Sequence, residues 1–284
     1  MTAPTTSRTT AASAERSSEP KARFSDLFAA EWIKLWSLRS TLWAFAGTVA
    51  VILTITIVGA VADTQHYSSS DAAGKAYFRM FGAVGDSFPT GDATMLIVGA
   101  GAIGAITVLG EYTTGMIRTT FTAVPARRSA MAAKVAVVVA ATTALGVVAA
   151  LLSFGAAQGI LSGQGAAVGF GHHNVVRLLA ASAALAPVSA LVGMGLATLI
   201  RHSVLTIVVT IALLFVIPSV LNARSHSSAS ILHMTILQAW RRIGYDQATT
   251  AMWPWTVGGA CIVLAVWALV AAALAVLTPS HRDQ

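Results

Sequence analysis

Six stretches of this chain are each apolar for long enough to cross a lipid bilayer. About 20 apolar residues in a helix span the roughly 30 Å of hydrocarbon. The stretches cover residues 41–62, 93–109, 130–158, 176–200, 204–221 and 256–277. A soluble domain of this size would not carry six such runs. The chain therefore reads as an all-α, polytopic membrane protein. Its composition agrees, with 56% hydrophobic residues, 10% charged residues and a mean hydropathy of +0.73. Soluble domains carry about 25% charged residues. The third and fourth stretches are long, which predicts tilt or extension beyond the lipid. Pro187 predicts a kink or break in the fourth.

Residues 1–20 are Thr, Ser and Ala with scattered charge. They lack an apolar core followed by a cleavage site, so they do not read as a signal peptide. The expected organisation is a disordered cytoplasmic tail over 1–23 and a six-span membrane domain over 24–284.

An even number of spans puts both termini on one side, and the distribution of basic residues chooses that side. With the termini inside, the inner set is Arg8, Arg16, Lys21, Arg23, Lys34, Arg39, Arg118, Arg127, Arg128, Lys134, Arg201 and Arg282. The outer set is Lys75, Arg79, Arg177, Arg224, Arg241 and Arg242. The larger set favours cytoplasmic termini. The net charge of +7 is thus topological and calls for no nucleic-acid partner.

Three segments outside the spans carry information. In 24–39, Phe24, Leu27, Phe28, Trp32, Leu35 and Leu38 share a broad arc of a helical wheel, with Asp26, Lys34 and Ser37 opposite. This predicts an amphipathic helix at the membrane surface, with Trp32, Trp36 and Trp43 at headgroup level. Glu31 interrupts the arc. Either it reaches water or pairs with Lys34 or Arg39, or it makes a buried contact with a neighbouring helix or subunit.

The second segment, 110–129, is GEYTTGMIRTTFTAVPARRS. Glu111 closes the second span, Gly115 and Pro125 punctuate, and Arg127, Arg128 and Lys134 anchor the third span. Residues 116–124 suit a short helix along the membrane, or a plain topogenic loop. The third segment, 222–255, predicts a half-buried outer helix capped by Ser230. Its apolar side would be Ile231, Leu232, Ile236, Trp240 and Ile243, followed by the aromatic belt Trp253-Pro254-Trp255. The other outer loop, 63–92, shows no motif.

Small residues cluster in the spans: Gly99, Gly101 and Gly104, then Gly155 and Gly159, then Gly193, Gly195 and Ala197. Close helix packing is the default expectation, with a conduit lining as the alternative. Some chemistry is missing. Gly74-Lys75 lacks the Walker spacing and the following Ser or Thr, so no ATP site is read. The acidic residues sit at span ends or in loops, with no visible intramembrane relay. His172-His173 has no HExxH context and reads as an outer-loop polar pair. Ser182 and Ser189 have no evident His partner. Cys261 is the single cysteine, expected to be inert, and excludes an intrachain disulfide.

Two of these segments carry a family resemblance. Glu31-Trp32-Ile33-Lys34-Leu35-Trp36-Ser37-Leu38-Arg39-Ser40 resembles the opening of bacterial type-2 ATP-binding-cassette permeases. Gly110-Glu111-Tyr112, Gly115-Met116-Ile117-Arg118-Thr119-Thr120, Val124-Pro125 and Arg127-Arg128 resemble the loop after their second span. The resemblance covers the chain from about Ser25 to its C-terminus. It implies the membrane half of an exporter, in the bacterial plasma membrane, with a second permease copy or paralogue and separate cytoplasmic ATPase subunits. ATP and Mg would bind the ATPase partner, and this chain would bind no cofactor itself. By the same resemblance, Glu111, Tyr112, Gly115, Arg118, Pro125, Arg127 and Arg128 would belong to the segment coupling to the ATPase. Glu31, Trp32, Lys34 and Arg39 would belong to the N-terminal surface helix. Two other readings stay open: an integral-membrane enzyme acting on lipid with His172, His173 or His233 near the outer face, and a non-transporting scaffold. The substrate is not legible.

Overall fold

The computed structural model describes residues 23–114, 127–172, 174–221, 225–245 and 253–282. These are mostly helical, and no strand occurs among them. A helix satisfies its own backbone hydrogen bonds, which apolar surroundings demand. We label the helices α1 (Phe24–Ser37), α2 (Arg39–Ser69), α3 (Ala72–Tyr77), α4 (Thr90–Thr114), α5 (Arg127–Ser162), α6 (Val175–Ile200), α7 (Ser203–Ile211), α8 (His226–His233), α9 (Ile236–Gly244) and α10 (Val257–Arg282). A π-helical turn, Ala212–Val216, carries α7 on into Ile217–Val220.

Six segments are long and apolar enough to cross a membrane. They coincide with the stretches read from the sequence, the last three within a residue at each end, while the first three run beyond them, the second of them back to Ala72. α2 has 31 residues, because it continues past residue 62 to Ser69. α5 has 36 residues, about 54 Å at 1.5 Å per residue, so it tilts or extends outside roughly 30 Å of hydrocarbon.

α6 is the hub. It is apolar on all faces, as a helix enclosed by others should be, and it packs against α4, α5, α9 and α10. Small residues set the separations. A Cβ on Gly104 would overlap the Ala190 carbonyl, and one on Gly193 would overlap the Gly101 carbonyl. On the other side, a Cβ on Gly146 would overlap the Ala183 carbonyl. α6 runs unbroken through Pro187. Pro187 has no N–H to give the carbonyl four residues back, and that carbonyl, Ala183, is the one Gly146 approaches. Of the two GxxxG glycines at 155 and 159, neither meets anything within 4 Å of its Cβ position. Among the described residues they make no close helix contact, and both face outward from α5.

The segment before α10 forms two short helices rather than one. Ser225 caps α8 and Thr235 caps α9; Ser230 lies inside α8 and donates to the His226 carbonyl. Leu232, Ile236 and Trp240 are buried as expected, whereas Ile231 is exposed. Trp240 is fully buried and its indole N–H donates to Ser182 Oγ at 2.9 Å. We expect Trp240→Ala to cost about 3–5 kcal/mol by emptying that site, read as a lowered melting temperature in detergent. His226 meets Trp253 edge-on and His233 stacks against Trp255.

Candidate functional site: a buried charge joint between three helices

α1 is amphipathic, but its packed side takes in only half of the arc expected from the wheel. Leu27, Phe28, Glu31, Lys34 and Leu35 turn toward the bundle, while Phe24, Trp32 and Leu38 are exposed. Lys34 therefore lies on the packed side instead of opposite it. Leu35 meets Val137 and Ala141 of α5. A lysine and a glutamate on that side need partners, since an unpaired buried charge is costly.

The partners come from two other helices. Lys34 Nζ bonds Glu31 at 3.3 Å and also bonds Glu111 in the last turn of α4. Lys134, in the second turn of α5, bonds Glu111 at 2.9 Å and also bonds Glu31. Two acids and two bases thus alternate around a closed, neutral set. The Glu111 and Lys134 side chains are only 6% and 7% exposed. Glu111 sits at the negative end of the α4 dipole, an unfavourable place for a carboxylate, and the two ammonium groups offset that. Burial alone would lower the pKa of Lys34; its hydrogen bond and charge contact with Glu111, and then Glu31, outweigh this and raise it above the ordinary 10.5. Its contribution to stability is then complete below the ordinary lysine value and is lost only as pH rises above it.

The next residue of α4 links to a fourth element. The Tyr112 ring lies 5.2 Å beneath the Arg201 guanidinium. Arg201 sits in the turn between α6 and α7, with a φ of 57°. Such a contact is worth about 0.5–1 kcal/mol at an exposed site. On α1, the rings of Phe28, Trp32 and Trp36 contact one another in sequence, the first pair stacked and the second edge-on, and end on Phe45 of α2, at centroid spacings of 6.0, 5.9 and 5.3 Å.

The structure thus brings Glu31, Lys34 and Glu111 together and places Trp32 and Tyr112 beside them. Arg39 is not part of α1: the backbone breaks at Leu38, and Arg39 opens α2, exposed. Arg128 is exposed on α5. Gly115, Arg118 and Pro125, the short helix suggested over 116–124, and the Arg127 side chain lie outside the described residues, as do residues 1–22 and His173. Lys134 was read only as a topological anchor. Its signal was a lone lysine inside the apolar run 130–158, where an ionised side chain demands a partner.

Asp92 also gained no role from the sequence. It sits at the start of α4, as a span-end residue should, yet is 0% exposed. Its Oδ2 accepts from Thr56 of α2 and from Ser153 of α5, the latter at 2.7 Å. Ser153 Oγ lies 2.9 Å from the Ser87 carbonyl. Nineteen residues of α4 separate Asp92 from Glu111, about 28 Å. α4 and α5, joined to α1 at the charge joint, are thereby pinned to α2 at the opposite end of α4. Among the described residues, no group of three His, Cys, Asp or Glu is placed to hold a metal.

A bundle of six bilayer-length helices, with a polar joint gathered at one end, defines a multi-pass membrane protein. Residues 27–219 match the model of the ABC-2 family transporter protein, and the chain belongs to that family. It is a permease component of an ATP-binding-cassette transporter. The match spans α1 to the continuation of α7, and so includes every member of the charge joint. No curated protein matches the chain.

Proposed function

We propose that this chain is the permease subunit of an ATP-driven exporter in a bacterial plasma membrane. It works as one of two permease subunits, identical or paralogous, and forms the substrate conduit with its partner. A separate cytoplasmic ATPase subunit, holding ATP and Mg, meets it at the α1 end, so both termini are cytoplasmic. Gly115, Arg118, Pro125, Arg127 and Arg128 contribute to that contact. The charge distribution and the family support this reading.

The observation that carries it is the joint of Glu31, Lys34, Glu111 and Lys134. Residues 115–126 connect α4 to α5, and the joint clamps both attachment points to α1. A push on this connection cannot be absorbed by splaying α4 from α5 without exposing or unpairing buried ions. The three elements therefore move together, and a displacement at the ATPase reaches the spans, which alternate the access of the conduit.

The test begins with tagged protein extracted from native membranes in mild detergent. A co-purifying ATPase subunit with ATP hydrolysis is the expected result. Glu31→Gln keeps the size and one acceptor but removes one charge. We expect it to preserve assembly and to slow substrate-stimulated hydrolysis by about tenfold, the effect of roughly 1.4 kcal/mol on a barrier. A chain that purifies alone in several detergents would remove the exporter reading. Unchanged coupling in Glu31→Gln would remove the joint's role while leaving the exporter.

A further inference from the structure

We propose that the groove between α2 and α5 holds one anionic phospholipid, its acyl chain along the groove and its headgroup phosphate on Arg39. The groove has a volume of about 510 Å³ and is lined almost wholly by carbon. Ala46, Ala50 and Leu53 of α2 form one wall, and Ala141, Ala144 and Val148 of α5 the other. Small side chains facing each other leave a furrow open to the lipid rather than a flat surface.

Trp36 closes one end of the furrow from the C-terminal turn of α1. Arg39 stands at the same end. At 100° per residue, Arg39, Ala46, Ala50 and Leu53 lie within about 60° of one another on the α2 surface. The guanidinium thus heads the line of residues that walls the furrow. It is exposed, and it makes no hydrogen bond or ion pair among the described residues. The neighbouring charges cannot serve it, because the joint is already neutral within itself.

The lengths agree with a single leaflet. Arg39 to Leu53 is fourteen residues, about 21 Å. Half of a bilayer, headgroups included, is about 20–22 Å thick. A cation at one end and an apolar furrow of this reach complement a phosphate and its chain. A planar guanidinium binds phosphate through paired N–H donors. A second copy of this chain is a poorer match for Arg39, because it brings 18 basic against 11 acidic residues. The bound lipid would fill the space under Trp36 and so brace the α1–α2 corner next to the charge joint.

The experiment uses the full chain reconstituted in phosphatidylcholine vesicles with increasing brominated phosphatidylglycerol, and bromine quenching of tryptophan as the readout. Trp36→Phe, measured in parallel, isolates the Trp36 signal. The expected result is saturable quenching of Trp36 by phosphatidylglycerol at fractions where brominated phosphatidylcholine has little effect. Arg39→Gln should weaken this preference about tenfold. Ala144→Leu, which narrows the furrow while Arg39 stays in place, should reduce quenching by both lipids. Equal quenching by the two lipids in the unaltered chain would overturn the proposal, as would an undiminished preference in Arg39→Gln. A disulfide between copies through Ala144→Cys, in a Cys261→Ser background, would also overturn it by placing a second copy over the groove.

Discussion

Glu111→Ala is expected to destabilise the protein by about 3–5 kcal/mol, the usual cost of removing one partner from a buried ion pair. Both ammonium groups contact this one carboxylate, and Lys134 is 7% exposed, so it cannot reach water as compensation. After the substitution, Lys34 and Lys134 share Glu31 alone and repel each other. The measurement is thermal unfolding of detergent-solubilised protein followed by loss of monodispersity on gel filtration. Lys34→Ala should cost less, because Lys34 is the most exposed of the four at 27%. The double variant Glu111→Ala with Lys34→Ala should be more stable than the sum of the single effects implies, by roughly 1–3 kcal/mol, as expected for neighbours in one network. Additive losses would show that the two residues act separately, and the joint would then be no unit.

Gly104→Leu is expected to abolish the folded state. The obstacle is the Ala190 carbonyl, a backbone atom of the central helix, and not a side chain that can rotate away. α4 and α6 would have to separate, which also opens the contact between Gly193 and Gly101. Overpacking in a close-packed core costs about 1–3 kcal/mol where repacking is possible, and more where it is not. The expected readout is loss of monodisperse protein after extraction. Gly110→Ala is the control, since among the described residues nothing lies within 4 Å of its Cβ position. It should be neutral or slightly stabilising, by up to about 1 kcal/mol, through helix propensity.

The spans were legible because bilayer insertion sums over consecutive side chains. Residues 176–200 and 204–221 match α6 and the α7 segment within a residue. The ends of α2 and α5 were not legible, because helix continues there through polar residues that no longer report on lipid. Asp63 and His66 lie within α2 although they follow its apolar run. Ser225 and Thr235 displaced the expected cap at Ser230. A cap depends on which residue leaves the helical φ and ψ, and several serines in that segment are chemically suited.

At the charge joint the division is sharper. Glu31 and Glu111 stood out as carboxylates beside apolar runs, and for Glu31 pairing with Lys34 or Arg39, or a buried contact with a neighbouring helix, was among the expectations. Lys34 was assigned to the solvent side, because a helical wheel ranks residues by polarity and is blind to anything outside the helix. Its hydrogen-bond partner Glu111 lies 77 residues away, and the partner of Glu31 on α5 lies 103 residues away. Membrane residence and the number of spans were determined by the sequence itself, since each residue contributes its transfer free energy wherever its neighbours fold. The α4–α6 spacing, the burial of Asp92 and the closing of four charges into a neutral set were decided only by the tertiary structure. Those features depend on distances between helices, and a charge is stabilised in the membrane only when its particular partner reaches it.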